Sequence, residues 1–205
     1  MPRIAPEMPR RLAAAAFGCF SASGIKGVNL DRIAVAAGVT KGSLYSHYRS
    51  KRELILAACE HYYRSYRQRV ARETDSIDDP PRRLRAVLEL SVRTCVADRA
   101  NRVFTTEIFA LGLQDRMVRN SWAGFYDQVR RMYIDLLIAA PQAGQANPDD
   151  ARAAVDLMLA AMEGIKQRAA FEPQHMIDPE QQERIVAGLM GILETSLTPF
   201  GSHGP

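Results

Sequence analysis

Residues 30–51 restrict the fold of this chain more than any other segment. They contain two short helical patterns joined by a tight turn at Gly38. Asn29 and Thr40 precede the two patterns, and residues of these types accept hydrogen bonds from the free backbone N–H groups at the start of a helix. Glycine supplies the positive φ that so tight a turn requires. The segment therefore predicts a helix-turn-helix motif.

The second helix of this motif begins with side chains that are small or cationic. In a helix-turn-helix this helix enters the major groove of DNA and leads with its N-terminal residues. Tyr45, His47 and Lys51 can donate to phosphate oxygens, a contact that fixes register without reading sequence. Ordinary packing is the alternative for His47. The candidate DNA-binding residues are Asn29, Thr40, Lys41, Gly42, Ser43, Tyr45, His47 and Lys51.

Charge is distributed unevenly along the chain. The net charge is +4, but the first 70 residues carry 12 Lys and Arg against 4 Asp and Glu, whereas the remainder carries 15 against 19. A basic segment next to an acidic one indicates a polyanion-binding module joined to a body that binds something else. Because the basic segment contains the helix-turn-helix, the expected polyanion is double-stranded DNA.

Sequence motifs that indicate catalysis or metal binding are absent. There is no Gly-x-Ser-x-Gly, P-loop, His-Glu-x-x-His or dinucleotide fingerprint, so neither an enzyme nor a cofactor is expected. Cys19, Cys59 and Cys95 are too widely spaced for a disulfide framework, which indicates a cytoplasmic protein. The segment 10–23 resembles a signal peptide, but its apolar period and the following Gly24 favour an amphipathic helix. No apolar run approaches the roughly 20 residues of a membrane span.

The apolar residues follow a helical period along the whole chain. No segment combines strand alternation with β-branched residues, so the expected fold is all-α with about nine helices. The expected helices cover residues 9–23, 29–37, 40–48, 50–74, 80–96, 103–111, 115–139, 149–171 and a segment after residue 179.

A family resemblance appears in the helix-turn-helix. Residues 38–51, Gly-Val-Thr-Lys-Gly-Ser-Leu-Tyr-Ser-His-Tyr-Arg-Ser-Lys, closely resemble the signature of TetR-family transcriptional regulators. Ile33-Ala34 matches as well, as does the segment that contains Phe17, Phe20 and Gly24. The resemblance implies a three-helix DNA-binding domain followed by a helical domain for effector binding and dimerisation. It also implies that residues matching the family signature touch operator DNA, namely Thr40, Lys41, Ser43, Tyr45, His47 and Lys51.

Two residues depart from the family pattern. Val28 stands where the family usually has Thr, which puts one phosphate contact in doubt, and Tyr48 replaces the commoner Phe. We expect a DNA-binding domain at residues 1–52, with helix four linking it from about residue 50 to an effector-binding and dimerisation domain at 53–198. Residues 199–205 are expected to form a disordered tail.

Helices four to eight should enclose an effector cavity, as the resemblance implies. Residues that combine apolar bulk with a few polar groups are the candidates for its lining, although each could equally be plain core. Glu107 lies among apolar residues, and the alternative for it is a solvent-facing position. The effector-binding candidates are Cys95, Phe104, Glu107, Trp122, Phe125, Tyr126, Met158 and Met162.

Helix eight is small and apolar nearly all round, which predicts burial on every side. Together with helix nine it could form a four-helix bundle with a second copy, whereas ordinary core packing is the alternative. The expected interface residues of this homodimer are Leu157, Ala161, Ile165, Ile185, Leu189, Ile192 and Leu193.

The sequence favours a ligand-responsive transcriptional regulator, and among these a repressor that releases its operator when a small, mostly apolar effector binds. The alternative is an effector-independent structural or nucleoid-associated DNA-binding protein of the same fold. A cavity packed solid by large side chains would favour that alternative.

Overall fold

The structure, a computed structural model, describes residues 7–139, 148–172 and 178–195. Within these ranges it is all-α, as the sequence predicts, and no described helix is long and apolar enough to cross a membrane. The expected tail at 199–205 lies outside the described residues. The helices are α1 Glu7–Ser23, α2 Leu30–Ala36, α3 Lys41–His47, α4 Lys51–Thr74, α5 Pro80–Ser91, α6 Arg99–Gly112, α7 Arg116–Ala139, α8 Pro148–Arg168 and α9 Pro179–Thr195.

Contacts divide the chain into two units. Unit 1 comprises the residues up to 68 together with 99–125, and unit 2 comprises 69–98 and the residues from 126 onward. The sequence-based domain boundary at residue 52 differs from this division. The difference arises because the following helix, α4, and the α6–α7 segment share an aromatic core with α1.

Stacked aromatic rings form the core of unit 1. The ring of Phe17 on α1 lies 5.0 Å from that of Phe104 on α6, and Tyr62 on α4 lies 5.7 Å from Trp122 on α7. Trp122 in turn lies 4.9 Å from Phe125. Aromatic pairs at such distances add about 0.5–1.5 kcal/mol beyond the burial of their area. These contacts join α1 and α4 to the consecutive helices α6 and α7, which lie later in the sequence.

Unit 2 is built from α5, α8, α9 and the C-terminal part of α7. Asp79 caps α5 by accepting from the N–H of Arg82 at 3.0 Å, and Pro80 occupies the first helical position, where a missing N–H has no cost. Inside the unit, the hydroxyls of Ser91 and Tyr133 lie 2.8 Å apart. The expectation of one regular helix through residue 96 is wrong, because Val92–Ala97 forms a π-helix.

Helix α8 is exposed on one side of the single chain. Met158 is fully buried, whereas Leu157 is 55% exposed. Ala153, Ala160 and Gly164 are exposed as well. Within the single chain a stripe of small apolar residues on α8 therefore faces outward, and burial on every side would require the second copy that the sequence also predicts.

Candidate DNA interface

The turn between α2 and α3 has the geometry that the sequence predicts. Asn29 Oδ1 accepts from the N–H of Arg32 at 2.9 Å, and Thr40 Oγ1 accepts from the N–H of Ser43 at 3.2 Å. Gly38 between the two caps has a φ of 63°, in the left-handed region that glycine tolerates. Both caps and the turn are confirmed, and together they set the direction in which α3 leaves α2.

Apolar packing and one cationic side chain hold the motif together. Ile33 and Leu44 are fully buried, and Ala34 is 3% exposed, which lets the two helices approach closely. From α1, Arg11 Nη2 donates to the carbonyl oxygen of Gly38 at 3.1 Å. The turn is thus braced by the helix that precedes the motif.

Three side chains stabilise the connection from α3 to α4. Tyr48 Oη donates to the carbonyl oxygen of Pro9 at 3.2 Å, and burial raises the pKa of Tyr48, so this group stays a neutral donor. Ser50 Oγ accepts from the N–H of Glu53 at 3.2 Å, and the Glu53 carboxylate accepts from the N–H of Arg49 at 2.8 Å. These bonds define where α4 begins.

An open cleft of about 480 Å³ lies beside the motif. Four of the predicted DNA-binding residues line it, namely Asn29, Lys41, Tyr45 and Lys51. Three ammonium groups line the cleft against one carboxylate, a balance suited to a polyanion. The full lining is Lys26, Gly27, Val28, Asn29, Leu30, Asp31, Lys41, Tyr45 and Lys51.

The other four predicted DNA-binding residues lie on α3 or at its N-cap, outside this lining. Thr40, Gly42 and His47 are exposed, and Ser43 is half-buried. The exposure of His47 does not support its alternative interpretation as a packing histidine. All four are therefore positioned on the helix that a helix-turn-helix presents to DNA.

Five lining residues were not among the predicted ones, and two of these, Lys26 and Asp31, are charged. Lys41 Nζ lies 2.8 Å from Asp31 Oδ1, and both side chains are more than half exposed. The hydrogen bond and the charge of Asp31 raise the pKa of Lys41. The sequence could have indicated these two residues only through their positions. Lys26 lies three residues before the Asn29 cap, and Asp31 lies in the first turn of α2.

The first turn of α4 is joined to the start of α7. Arg52 Nε lies 2.7 Å from Asp115 Oδ2, while Asp115 Oδ1 accepts from the backbone N–H groups of Met117 and Val118 at 2.9 and 3.3 Å. Desolvation opposes ionisation of Asp115, but these N–H groups and the Arg52 guanidinium outweigh it. The pKa of Asp115 is therefore lower than that of an ordinary aspartate.

This shift predicts a pH-dependent contribution to stability. Because the pKa of Asp115 is lower in the folded state, its contribution is present above the unfolded-state pKa and disappears as the pH falls through the folded-state pKa. We expect Asp115→Asn to lower the free energy of unfolding near neutral pH, with a difference that vanishes in acid. Urea titrations across this range test it, with Asp135→Asn, at an exposed site on α7, as the control. A difference that is independent of pH would contradict the assignment.

The predicted effector-binding residues are divided between the two units. Phe104, Trp122 and Phe125 belong to the aromatic core of unit 1. Glu107, also in unit 1, accepts a hydrogen bond from the backbone N–H of Ile25. In unit 2, Met158 and Met162 are buried, whereas Cys95 and Tyr126 are half-buried.

Helices α1–α3, which form the headpiece of the chain, define a class of protein. A capped and braced helix-turn-helix presents an exposed second helix beside a lysine-lined cleft, and this arrangement is that of helix-turn-helix DNA-binding proteins.

Family comparisons place the chain within this class. The model described as "Bacterial regulatory proteins, tetR family" matches residues 12–58, and that described as "BetI-type transcriptional repressor, C-terminal" matches residues 80–191. Since the second match alone covers more than half of the chain, the protein belongs to the TetR family of transcriptional regulators and has a BetI-type C-terminal domain. It is accordingly a DNA-binding regulator and not an enzyme.

Solved structures share the fold. A transcriptional regulator from Saccharomonospora viridis, in complex with choline, matches with a TM-score of 0.76 at 18% identity, over 93% of this chain and 97% of that one. A regulator from Rhodococcus sp. Rha1 matches with a TM-score of 0.74 at 23% identity, over 91% and 96%. At these identities the likeness shows the fold alone.

A curated relative matches a short part of the chain. The HTH-type transcriptional regulator YerO of Bacillus subtilis (strain 168) is 34% identical over 56 residues, which are 27% of this chain. The match spans only 19% of the length of that relative, so it bears on a short segment and not on the whole protein.

Proposed function

We propose that this protein is a ligand-responsive repressor that binds operator DNA as a homodimer and releases it when a small effector binds. The observation that carries the proposal is the lysine-lined cleft beside the exposed face of α3. The match to a BetI-type repressor domain supports the sign of regulation. The effector-independent alternative has one observation on its side, the packing of the large rings of Phe104, Trp122 and Phe125 in the core of unit 1.

The DNA contacts are assigned by chemistry. Lys41 and Ser43 lie at the N-terminal end of α3, which leads into the major groove, and we assign them to base edges. Lys51 lies at the start of α4, and we assign it, with Asn29 and Tyr45, to phosphates. Thr40, Gly42 and His47 complete the proposed contact surface.

Substitutions separate the two kinds of contact. Lys51→Ala should weaken binding to all duplexes alike. It should also reduce the slope of log K against log salt concentration by about one, the value expected for the loss of one phosphate contact. Lys41→Ala should instead change which duplexes are selected from a random-sequence pool. Arg67→Ala, at an exposed site on α4 away from the cleft, removes the same charge and is the control. If the Lys41 and Lys51 variants behave alike, the division of roles fails.

The dimer face proposed here differs from that expected from the sequence. Ile185, Leu189 and Leu193 are no more than 7% exposed within the chain, so a second copy cannot reach them and they are left out. Leu157 remains exposed, and Ala161, Ile165 and Ile192 are half-buried. The outward-facing small residues of α8 and α9 support close helix packing against a second copy. They are Ala153, Ala160, Gly164, Ala187 and Gly188.

Leu157→Arg should convert the dimer to a monomer, because a buried guanidinium without a partner is costly in an apolar interface. Sedimentation equilibrium measures the mass. Leu113→Arg, at a residue of unit 1 that is 69% exposed, is the matched control and should leave the dimer intact. A wild-type protein that is monomeric at every concentration would contradict the proposed interface.

Aromatic side chains of unit 1 support an apolar effector with a cationic group as one candidate. Tyr62, Trp122 and Phe125 lie close together, and aromatic faces attract quaternary ammonium ions. The structure of a relative in complex with choline makes choline the first compound to test. Of the predicted lining residues, Glu107 is left out because its carboxylate already binds Ile25.

The proposal is tested by combining a ligand screen with DNA binding. A duplex is first selected by the wild-type protein from a random-sequence pool. Choline and a panel of apolar compounds are then screened by thermal shift, since a ligand at about 100 times its Kd raises stability by about 2.7 kcal/mol. A compound that stabilises the protein should also release the duplex. A compound that binds and leaves DNA affinity unchanged would count against the repressor mechanism.

A further inference from the structure

A carboxylate on α6 is bonded to the turn that leads into the helix-turn-helix. Glu107 Oε2 accepts from the backbone N–H of Ile25, 82 residues earlier in the chain. Ile25 itself is buried, being 8% exposed. Hydrogen bonds between a carboxylate and a backbone N–H are charge-assisted and are among the stronger ones in proteins. The bond therefore ties the end of α1 to a helix that is not part of the headpiece sequence.

Gly24 allows this approach. Its φ of 73° lies in the left-handed region, and a Cβ added there would collide with Glu107 Oε1. The N–H of Gly24 donates to the carbonyl oxygen of Phe20 at 2.9 Å, which ends α1. The carboxylate of Glu107 thus occupies the space that any other residue at position 24 would fill.

The turn held by Glu107 runs directly into the DNA-facing cleft. Residues 26–31, which follow Ile25 immediately, all line that cleft. They include Lys26 and the Asn29 cap of α2. A displacement of the Ile25 backbone would therefore move one wall of the cleft relative to Lys41 and Lys51 on the other side.

We propose that Glu107 is a positioning residue for DNA binding: its hydrogen bond to the Ile25 N–H holds the α1–α2 turn in the conformation that presents Lys26 and Asn29 to the phosphate backbone. It acts without touching DNA and is not an effector ligand. The inference rests on the proposed DNA-binding face, which binding by the wild-type protein tests separately.

Loss of the charge of Glu107 and loss of its hydrogen bond should change the affinity for DNA in opposite directions, so the two roles can be distinguished. Removing a negative charge from a DNA-binding protein should tighten its binding to a polyanion. Removing a bond that positions the cleft should weaken it. Glu107→Gln and Glu107→Ala remove the same charge, but only glutamine keeps an acceptor oxygen. The difference between these two variants therefore isolates the hydrogen bond.

The experiment measures the affinity of the full-length variants for the duplex that the wild-type protein selects. Glu107→Gln should bind within about twofold of wild type or tighter, and Glu107→Ala about fivefold more weakly than Glu107→Gln, as the loss of a bond to the neutral amide oxygen implies. Glu60→Ala is the control for charge, because Glu60 is exposed and pairs with Arg64 on α4. It should bind at least as tightly as wild type.

Amide hydrogen exchange at Ile25 separates positioning from general destabilisation. The Ile25 N–H should exchange faster in Glu107→Ala than in Glu107→Gln, while the free energy of unfolding shows both variants to be folded. If the alanine variant does not fold, Glu107→Asp serves instead, because it keeps the charge and withdraws the acceptor by one methylene. It should weaken DNA binding relative to wild type. Equal affinities of the glutamine and alanine variants, or wild-type affinity of a variant with faster Ile25 exchange, would overturn the proposal.

Discussion

Phe104→Ala is expected to lower the free energy of unfolding by about 3–5 kcal/mol, the cost of removing a buried phenyl ring from a packed core. Phe104 has no exposed surface, and its ring lies 5.0 Å from that of Phe17 and 6.0 Å from that of Tyr62. The substitution removes apolar burial and leaves a cavity where α1, α4 and α6 meet. A loss of this size is a large fraction of a typical domain stability of about 5–15 kcal/mol.

Urea unfolding followed by far-UV circular dichroism measures this loss. Phe109→Ala on the same helix is the matched control, because Phe109 is 49% exposed and its removal should cost well under half as much. The same comparison tests the assignment of Phe104 to the core of unit 1. A Phe104 variant as stable as the Phe109 variant would show that the cluster is not packed as described.

Gly24→Ala is expected to cost about 1–2 kcal/mol of stability from backbone strain, since an L side chain in the left-handed region is strained by that amount before any collision is counted. The collision adds to this cost, because the new Cβ would meet the Glu107 carboxylate. DNA binding should weaken as well, since relief of the collision requires either the carboxylate or the turn to move.

Gly18→Ala is the matched control for this substitution. Gly18 lies within α1, and a Cβ there would meet nothing within 4 Å. In a helix interior alanine is favoured over glycine by about 1 kcal/mol. The two glycine-to-alanine changes should therefore shift stability in opposite directions in thermal or urea unfolding. A Gly24 variant that is as stable as wild type would contradict the described geometry of the turn.

The headpiece was largely predictable because its signals are local. Asn29 and Thr40 cap helices through bonds to residues three positions away, and Gly38 forms its turn from its own backbone freedom. Such interactions depend on sequence spacing and hardly at all on the rest of the fold. The same locality explains why Pro80 marked the start of α5 correctly.

The contribution of the α1–α2 segment to the cleft was not predictable from the spacing of residues in the sequence. Lys26 and Asp31 belong to the lining because the α1–α2 turn brings them beside α3 and α4. The orientation of helix α8 was not predictable for a related reason. Its composition is apolar nearly all round, but only packing decides that Met158 faces the core and Leu157 faces outward.

By itself the sequence determined the helices, their caps, the basic headpiece and, through the signature at residues 38–51, the family. Those properties follow from hydrogen bonds and apolar periods within a few residues of one another. Only the tertiary structure revealed the contact of Glu107, a residue for which the sequence left both an effector cavity and a solvent-facing position open. Its partner is the N–H of Ile25, 82 residues away, and no local pattern records which backbone group a side chain meets once distant helices have packed.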